Sequence, residues 1–348
     1  MASDHDSPSS APGVSVVMPC FNAQATVDEA IDSLLQGTWQ DIELVAVDDG
    51  SADDTLGRLK AWAGRDQRVR LVGIEHGGLV DALNAGWRQA GGTLIARMDA
   101  DDVALPTRLA KQVALLEARP DLAAVGSLVE SFPPESARTG FQRYLDWLNG
   151  LIEEQAIARE IFVESPLPHP TVVIRRSWLE RMGGYEDHGW PEDYDLCLRM
   201  HLAGARFAKV PEVLLRWREH PDRATRTDSR YSVENFLRAK AHYLALGPLA
   251  DADGVIVWGA GQMGRRLSKH LLRAEVPIDC FLDVDPSKIG RRTRDRPVLP
   301  PEALMERWRA LVRPKLLAVV GSHKARPEIR AYLVDHGLVE GVDWWAAA

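Results

Sequence analysis

From Val14 to Ala118 the chain alternates short apolar segments with longer amphipathic ones, and several of the apolar segments stop at polar or acidic residues. Val14 to Met18, Glu43 to Val47, Val69 to Ile74 and Thr93 to Met98 have strand composition. Between and after them, Thr26 to Leu35, Asp54 to Ala63, Leu79 to Ala90 and Pro106 to Ala118 carry apolar residues at helical spacing. Thr26 with Glu29 reads as a capping box. Strands that alternate with helices imply an α/β fold, a mostly parallel sheet flanked by helices. On such sheets ligands bind beyond the carboxyl ends of the strands. Three of these ends are chemically marked: Pro19 to Asn22, Asp48 with Asp49, and Asp99 with Asp101. They are expected to converge on one crevice.

The last of these ends is the most informative. Asp99, Ala100, Asp101 and Asp102 place three carboxylates within four positions. Residues two apart in extended backbone point the same way, so Asp99 and Asp101 should face one spot. Two carboxylates that close repel unless a cation or solvent intervenes. Mg²⁺ or Mn²⁺ suits such oxygen ligands and often shares them with a substrate phosphate. An acidic turn that caps the next helix is the alternative.

Further along, Leu122 to Glu130 reads as a strand, Ser131 to Arg138 as a loop and Phe141 to Ile161 as one helix. Gly183 and Gly184 should end the helix that begins at Ser177. Glu192, Asp193 and Asp195 open another helix, where acidic residues suit the helix dipole. Phe207 to Trp217 reads as a strand interrupted by Pro211, and Ser232 to Leu246 as a helix. The polar break at residues 247–253 separates a domain spanning 14–246 from a smaller one spanning 254–348, and residues 1–13 read as a disordered tail. After the break the strand–helix pattern restarts. Val255 to Trp258 is followed by Gly259, Gly261 and Gly264, with Asp283 about twenty residues further on. That is the context of a nucleotide-binding turn, and equally of a glycine turn kept for tight strand–helix packing.

Composition narrows the class. At 348 residues, 45% hydrophobic and 26% charged, the chain can form two cored domains. A formal charge of −8 argues against a nucleic-acid partner. Cys20, Cys197 and Cys280 are odd in number and widely spaced, which fits free thiols in a reducing cytosol better than a disulfide scaffold or a zinc site, with Cys20 and Cys197 read as packing residues. No apolar run approaches the ~20 residues of a membrane span. A cytoplasmic protein is expected, with contact at the inner face of the membrane left open and the oligomeric state unassigned.

The first domain resembles the large inverting family of nucleotide-sugar glycosyltransferases with the GT-A fold. The segments VSVVMPCFNAQATVDEAIDSLL, ELVAVDDGSADDT, ALNAGWRQAGGTLIARMDADD, SPLPHPTVVIRRSWLERMGGY and EDYDL carry the resemblance, in the family's order, across about residues 14–226. It implies that Pro19, Phe21, Asp48 and Asp49 hold the base and ribose of a nucleotide, in most relatives uridine. It implies that Asp99 and Asp101 lie near the ribose and a Mn²⁺ or Mg²⁺ ion, and that His220 stands where some relatives have a third metal ligand. Asp193 falls on the catalytic base. Trp190 and Glu192, with His169, are candidates for contact with an acceptor, although His169 between two prolines also reads as structural. The chain is then expected to transfer a sugar from a nucleotide diphosphate sugar to a glycan or lipid-linked acceptor. The second domain resembles the small Rossmann-like domain at the ends of some glycosyltransferases, through FLDVDPSKIG and PVLPPEAL.

Three other classes compete. An oxidoreductase centred on Gly259 to Gly264 would need catalytic residues that the segment lacks. A non-catalytic sugar-nucleotide sensor would not need Asp99, Asp101 and Asp193. A nucleotidyltransferase would need an early glycine- and lysine-rich phosphate loop, which is absent from the sequence.

Overall fold

The computed structural model describes residues 13–133, 139–221, 223–322 and 324–348. The expected N-terminal tail, apart from Gly13, and positions 134–138 of the expected loop lie outside the described residues. The chain forms two compact units that interleave in sequence. The first runs to Ile152 and takes in Leu167–Tyr185 and Arg206–His220, and the second holds Glu153–Pro166, Glu186–Ala205 and Pro221–Ala348.

The first unit is built on an eight-stranded sheet. Its strands are β1 (Val14–Cys20), β2 (Ile42–Asp49), β3 (Val69–Ile74), β4 (Leu94–Arg97), β5 (Val103–Ala104), β6 (Ala124–Phe132), β7 (Val173–Arg175) and β8 (Phe207–Arg218), in the order β3-β2-β1-β4-β7-β6-β8-β5. The half from β3 to β4 is parallel, as the alternation demands. β7 runs antiparallel to both neighbours and β5 antiparallel to β8, so the whole sheet is mixed. Cys20 stands opposite Asp48, and Val17 opposite Arg97. The carboxyl ends of β2, β1 and β4 therefore lie side by side, as the three marked strand ends require.

Helices α1 (Val27–Leu35), α2 (Thr55–Arg65), α3 (Leu79–Gln89), α4 (Arg108–Ala118) and α5 (Thr139–Gly150) belong to this unit, and after α6 (Glu154–Glu160) of the other unit, so does α7 (Arg176–Met182). The spacing read from the sequence shows in α1, which buries Val27, Ala30, Ile31, Leu34 and Leu35 against Val14, Val16, Met18 and Leu44. Each such side chain contributes roughly 1.5–3 kcal/mol when fully buried. α7 ends on Gly183 in the left-handed conformation (φ +75°), as expected.

Three local expectations need correction. Thr26 does not form a capping box: its hydroxyl bonds to the Ala23 carbonyl and Glu29 pairs with Arg218. The single helix expected from Phe141 to Ile161 is two, because Gly150 ends α5 and Glu153 takes extended backbone before α6. β8 continues through Pro211, where the pairing with β6 shifts register and leaves the proline without a ladder bond to donate.

The second unit contains α6, α8 (Glu192–Leu202), α9 (Ala224–Thr227), α10 (Val233–Leu246) and a six-stranded sheet. The sheet is formed by β9 (Gly254–Trp258), β10 (Ile278–Leu282), β11 (Arg292–Thr293), β12 (Arg296–Leu299), β13 (Pro314–Ala318) and β14 (Trp344–Ala346), ordered β11-β12-β10-β9-β13-β14. α11 (Gln262–Arg273), α12 (Leu304–Arg309) and α13 (Ala325–Asp335) connect its strands. α10 packs against α11. No helix among the described residues is long and apolar enough to cross a membrane.

Candidate active site

The crevice begins at the ends of β1 and β2. Phe21, just past Pro19 of β1, is 47% exposed and its ring stacks on His76 at 4.2 Å between centroids. His76 Nδ1 lies 3.0 Å from Asp49 Oδ2. The amides of Gly77 and Gly78 donate to the same carboxylate at 2.8 and 3.0 Å. Asp49 therefore ties the loop before α3 to the end of β2. Asp48 is buried to the same degree but differs in partners: its Oδ1 has no hydrogen-bond partner among the described residues. A buried carboxylate oxygen without a donor is costly unless something else supplies one. Neither aspartate caps a helix, since Asp54 precedes α2.

At the end of β4, one carboxylate oxygen each from Asp99, Asp101 and Asp102 fall within 4.8 Å of one another. The three are not equivalent. Asp99 pairs with the guanidinium of Arg97, which is itself buried. Asp102 is buried, and burial together with Asp99 and Asp101 pushes its carboxyl well above the usual carboxylate range. It accepts the Arg218 amide at 2.8 Å, so it fixes the end of β8. Asp101 is the more open of the pair that faces out, and His220 Nε2 reaches its Oδ2 at 2.9 Å. β8 and the residues after it thus deliver His220 to the acidic cluster. The donor set of Asp99, Asp101 and His220 is chemically suited to Mn²⁺ or Mg²⁺, with oxygen predominating.

His169 is held elsewhere in the same unit. Its Nε2 lies 3.1 Å from the Tyr185 hydroxyl, and burial, then Arg97, keeps the ring well below its ordinary pKa and so neutral. Tyr185 is in turn fixed through its backbone by Asn84 of α3.

α8, in the second unit, carries the remaining candidates. Asp193 is half-buried in its first turn and accepts the Tyr194 amide at 2.7 Å. Glu192 is buried, and both its oxygens accept from the Tyr231 hydroxyl at 2.9–3.0 Å. Burial and the neighbouring Asp193 push its carboxyl up to about 7. Trp190 corrects the reading of an exposed acceptor platform: it is 8% exposed and its indole N–H donates to Asp195 at 2.8 Å. Asp195 is fully buried and also binds Arg199 and the Tyr243 hydroxyl, so it anchors α8 and does not face a ligand. Tyr194, buried on the opposite side, donates to the Ile161 carbonyl.

In the second sheet Gly259, Gly261 and Gly264 join β9 to α11 as expected. A Cβ on Gly264 would lie 1.8 Å from the Gly259 carbonyl, which makes the close strand–helix approach a glycine requirement. Asp283 accepts the Ala260 amide at 2.9 Å and pairs with Lys288.

Three residues of these sites were not singled out in the sequence: His76, Arg97 and Tyr231. His76 could have been found from its place before Gly77 and Gly78 at the start of α3, beyond a strand end. Arg97 is hidden inside an apolar strand, and Tyr231 lies far from α8 in sequence, so neither gives a local signal.

The family model for glycosyl transferase family 2 matches residues 15–183. The putative glycosyltransferase EpsE of Bacillus subtilis is 32% identical over 234 residues, 65% of this chain and 80% of that protein. The O-antigen biosynthesis glycosyltransferase WbnJ of Escherichia coli is 30% identical over 237 residues, 65% of this chain and 90% of that protein. Among solved structures, residues 1–349 of S. aureus TarS in complex with UDP-GlcNAc superpose with a TM-score of 0.56 at 17% identity, covering 75% of this chain and 72% of that one. The mannosyltransferase PcManGT from Pyrobaculum calidifontis, in complex with GDP-Man and Mn²⁺, gives 0.53 at 22% identity, covering 77% and 70%. These two likenesses are of fold. With the sheet order, the marked strand ends and these relatives together, the chain belongs to glycosyl transferase family 2, and its first sheet is of the GT-A type.

Proposed function

We propose that the chain is a metal-dependent inverting glycosyltransferase that moves a sugar from a uridine diphosphate sugar to a hydroxyl of a glycan or lipid-linked acceptor in surface polysaccharide synthesis. The observation that carries the reading is the cluster of Asp99, Asp101 and Asp102 with His220, at the end of a strand whose neighbour β1 adjoins Asp48. Relatives named for amylovoran and O-antigen biosynthesis and for glucosyl transfer to GlcNAc-diphosphoundecaprenol support the acceptor class.

In this reading Phe21 offers a ring face to the base and Asp48 Oδ1 takes a donor from the nucleotide. Asp101, Asp99 and His220 would hold the divalent cation, which supplies charge stabilisation to the departing diphosphate. Arg97 pairs with Asp99 and orients it. Asp193 takes the proton of the acceptor hydroxyl, whose oxygen attacks the anomeric carbon while the bond to the diphosphate oxygen breaks. Attack from the face opposite the leaving group inverts the anomeric centre.

Thermal stabilisation by UDP, GDP and their sugars, each with and without Mn²⁺, tests this directly. A ligand at 100 times its dissociation constant adds about 2.7 kcal/mol. Stabilisation by UDP that grows with Mn²⁺ is expected. Equal stabilisation by all nucleotides, unaffected by metal, would overturn both the donor and the metal assignment.

A further inference from the structure

The second sheet has a switch point that the transfer reaction leaves unused. β9 is followed on one side by β10 and β12 and on the other by β13 and β14, with β12, β10, β9, β13 and β14 parallel throughout. Crevices open at the carboxyl ends of strands where the order reverses in this way. Here the crevice is a cavity of about 700 Å³, lined among others by Gly261, Asp283, Lys288, Val320 and Tyr332. That volume lies within the range of small-molecule sites. A Cβ on Gly261 would meet nothing within 4 Å, so the backbone at the start of α11 is open to the cavity. No side chain among the described residues caps that end of the helix.

A second recess of about 570 Å³ shares Gln262 and Lys288 with the first. Arg265, Arg291, Arg292 and Arg294 line it. None of these four has a carboxylate partner among the described residues, whereas Arg266 beside them pairs with Glu234. The turn between β11 and β12 holds Arg294 and Asp295 at φ +52° and +59°, so a constrained backbone presents part of this charge. Arg292 and Arg294 donate only to the backbone carbonyls of Asp295 and Arg265, and four guanidiniums without a carboxylate partner among the described residues, around one recess in a chain of net charge −8, point to an anionic occupant. The acid that ends the second strand of a dinucleotide fold commonly accepts a ribose hydroxyl, and a nearby arginine instead accommodates a ribose phosphate. In this chain Asp283 is taken up by the Ala260 amide and by Lys288, and the arginines stand beside that lysine.

We propose that the second unit binds a nucleotide with two separated anionic groups: a diphosphate over Gly261 and the start of α11, and a ribose phosphate in the arginine recess. Tyr332 and Val320 offer the base or a second ring an apolar wall.

NADP⁺ and NAD⁺ are the probes, titrated calorimetrically into the full-length protein. NADP⁺ is expected to bind about tenfold tighter or more, since bidentate arginine–phosphate contacts are among the strong hydrogen bonds. Exchange of Arg291 and Arg294 for glutamine, at exposed positions, should remove the preference and leave the fold intact by circular dichroism. Gly261→Val should weaken both ligands, and Asp101→Asn in the other unit should change neither. Equal affinity for the two probes, no binding of either, or a preference that survives the arginine exchange would overturn the assignment. So would arginine-dependent sedimentation with phosphatidylglycerol vesicles in a protein that binds no dinucleotide, because the recess would then read a lipid headgroup.

Discussion

His220 Nε2 stands 2.9 Å from Asp101 Oδ2, a contact that joins the end of β4 to the segment after β8 across 119 residues. It sets a ring nitrogen beside the acidic cluster. Asp99 is already paired with Arg97, so Asp101 and His220 should carry most of the affinity for a divalent ion. Asp101→Asn and His220→Ala are each expected to weaken Mn²⁺-supported UDP binding about 10- to 100-fold, the usual range when a group that holds or orients a metal is lost. Binding without metal should hardly change. Calorimetry of UDP with and without Mn²⁺ checks this, and an unchanged metal enhancement in both variants counts against the site.

Asp48 and Asp49 are adjacent in sequence but should respond differently. Asp49 accepts from Gly77 and Gly78 and lies against His76, so Asp49→Ala removes the charge-assisted hydrogen bonds that hold the loop before α3 and should cost about 1–3 kcal/mol of stability. Asp48 has a buried oxygen with no donor among the described residues, so Asp48→Ala should cost little stability or none. Its effect should fall on nucleotide affinity, by about tenfold. Urea unfolding and UDP titration of both variants separate the two roles. Loss of stability in Asp48→Ala with no change in affinity would reverse them.

The parallel half of the first sheet was legible because its signal is local: apolar runs, helical spacing and acids at strand ends all lie within one segment. The antiparallel β7 was not, since strand direction depends on connections that leave no mark in a three-residue strand. Among site residues, Asp99 and Asp101 announced themselves by spacing, and the pairing with His220 came from family resemblance and not from any local pattern. Trp190 misled because a polar loop surrounds it in sequence, while in space Asp195, His242 and Tyr243 enclose its ring. The compact units also part from the sequence pattern. A change of composition marks residues 247–253, yet α8 and α10 group with the second sheet, because α10 packs its side chains on α11 and α8 packs on α10.

Glu192 makes stability depend on pH. Its carboxyl is pushed up from 4.5 to about 7 by burial and by Asp193, while Tyr231 donates to it and Arg230 lies near. The folded protein therefore binds this proton more tightly than the unfolded chain. Its contribution is full below pH 4.5 and is lost as pH rises through about 7. Glu192→Gln mimics the neutral acid and removes that decline. The difference in Tm, variant minus parent, should rise from pH 5 to pH 8. Melting curves across that range check it, and a flat difference would show that Glu192 stays ionised throughout.

The assignment of the base rests on how differently two carboxylates of one helix turn are placed. Asp193 is half-buried and accepts the amide of Tyr194, a bond within its own helix turn. Asp195 is fully buried among Trp190, Arg199 and Tyr243. Asp193→Asn keeps the shape and the helix start but removes the proton acceptor, so turnover should fall about 10²- to 10⁴-fold with donor affinity little changed. Asp195→Asn keeps the shape too, but it strips the charge opposite Arg199 inside the unit. Breaking a buried pair costs about 3–5 kcal/mol, so this variant should lose stability first and activity only as a consequence. The sequence places Asp195 only among the acids that open a helix, and its burial makes it an anchor. UDP release with acceptor, donor affinity and unfolding midpoint are to be measured for both. A stable Asp195→Asn with turnover lower than that of Asp193→Asn would place the base on Asp195. An Asp193→Asn of normal turnover would remove it from Asp193.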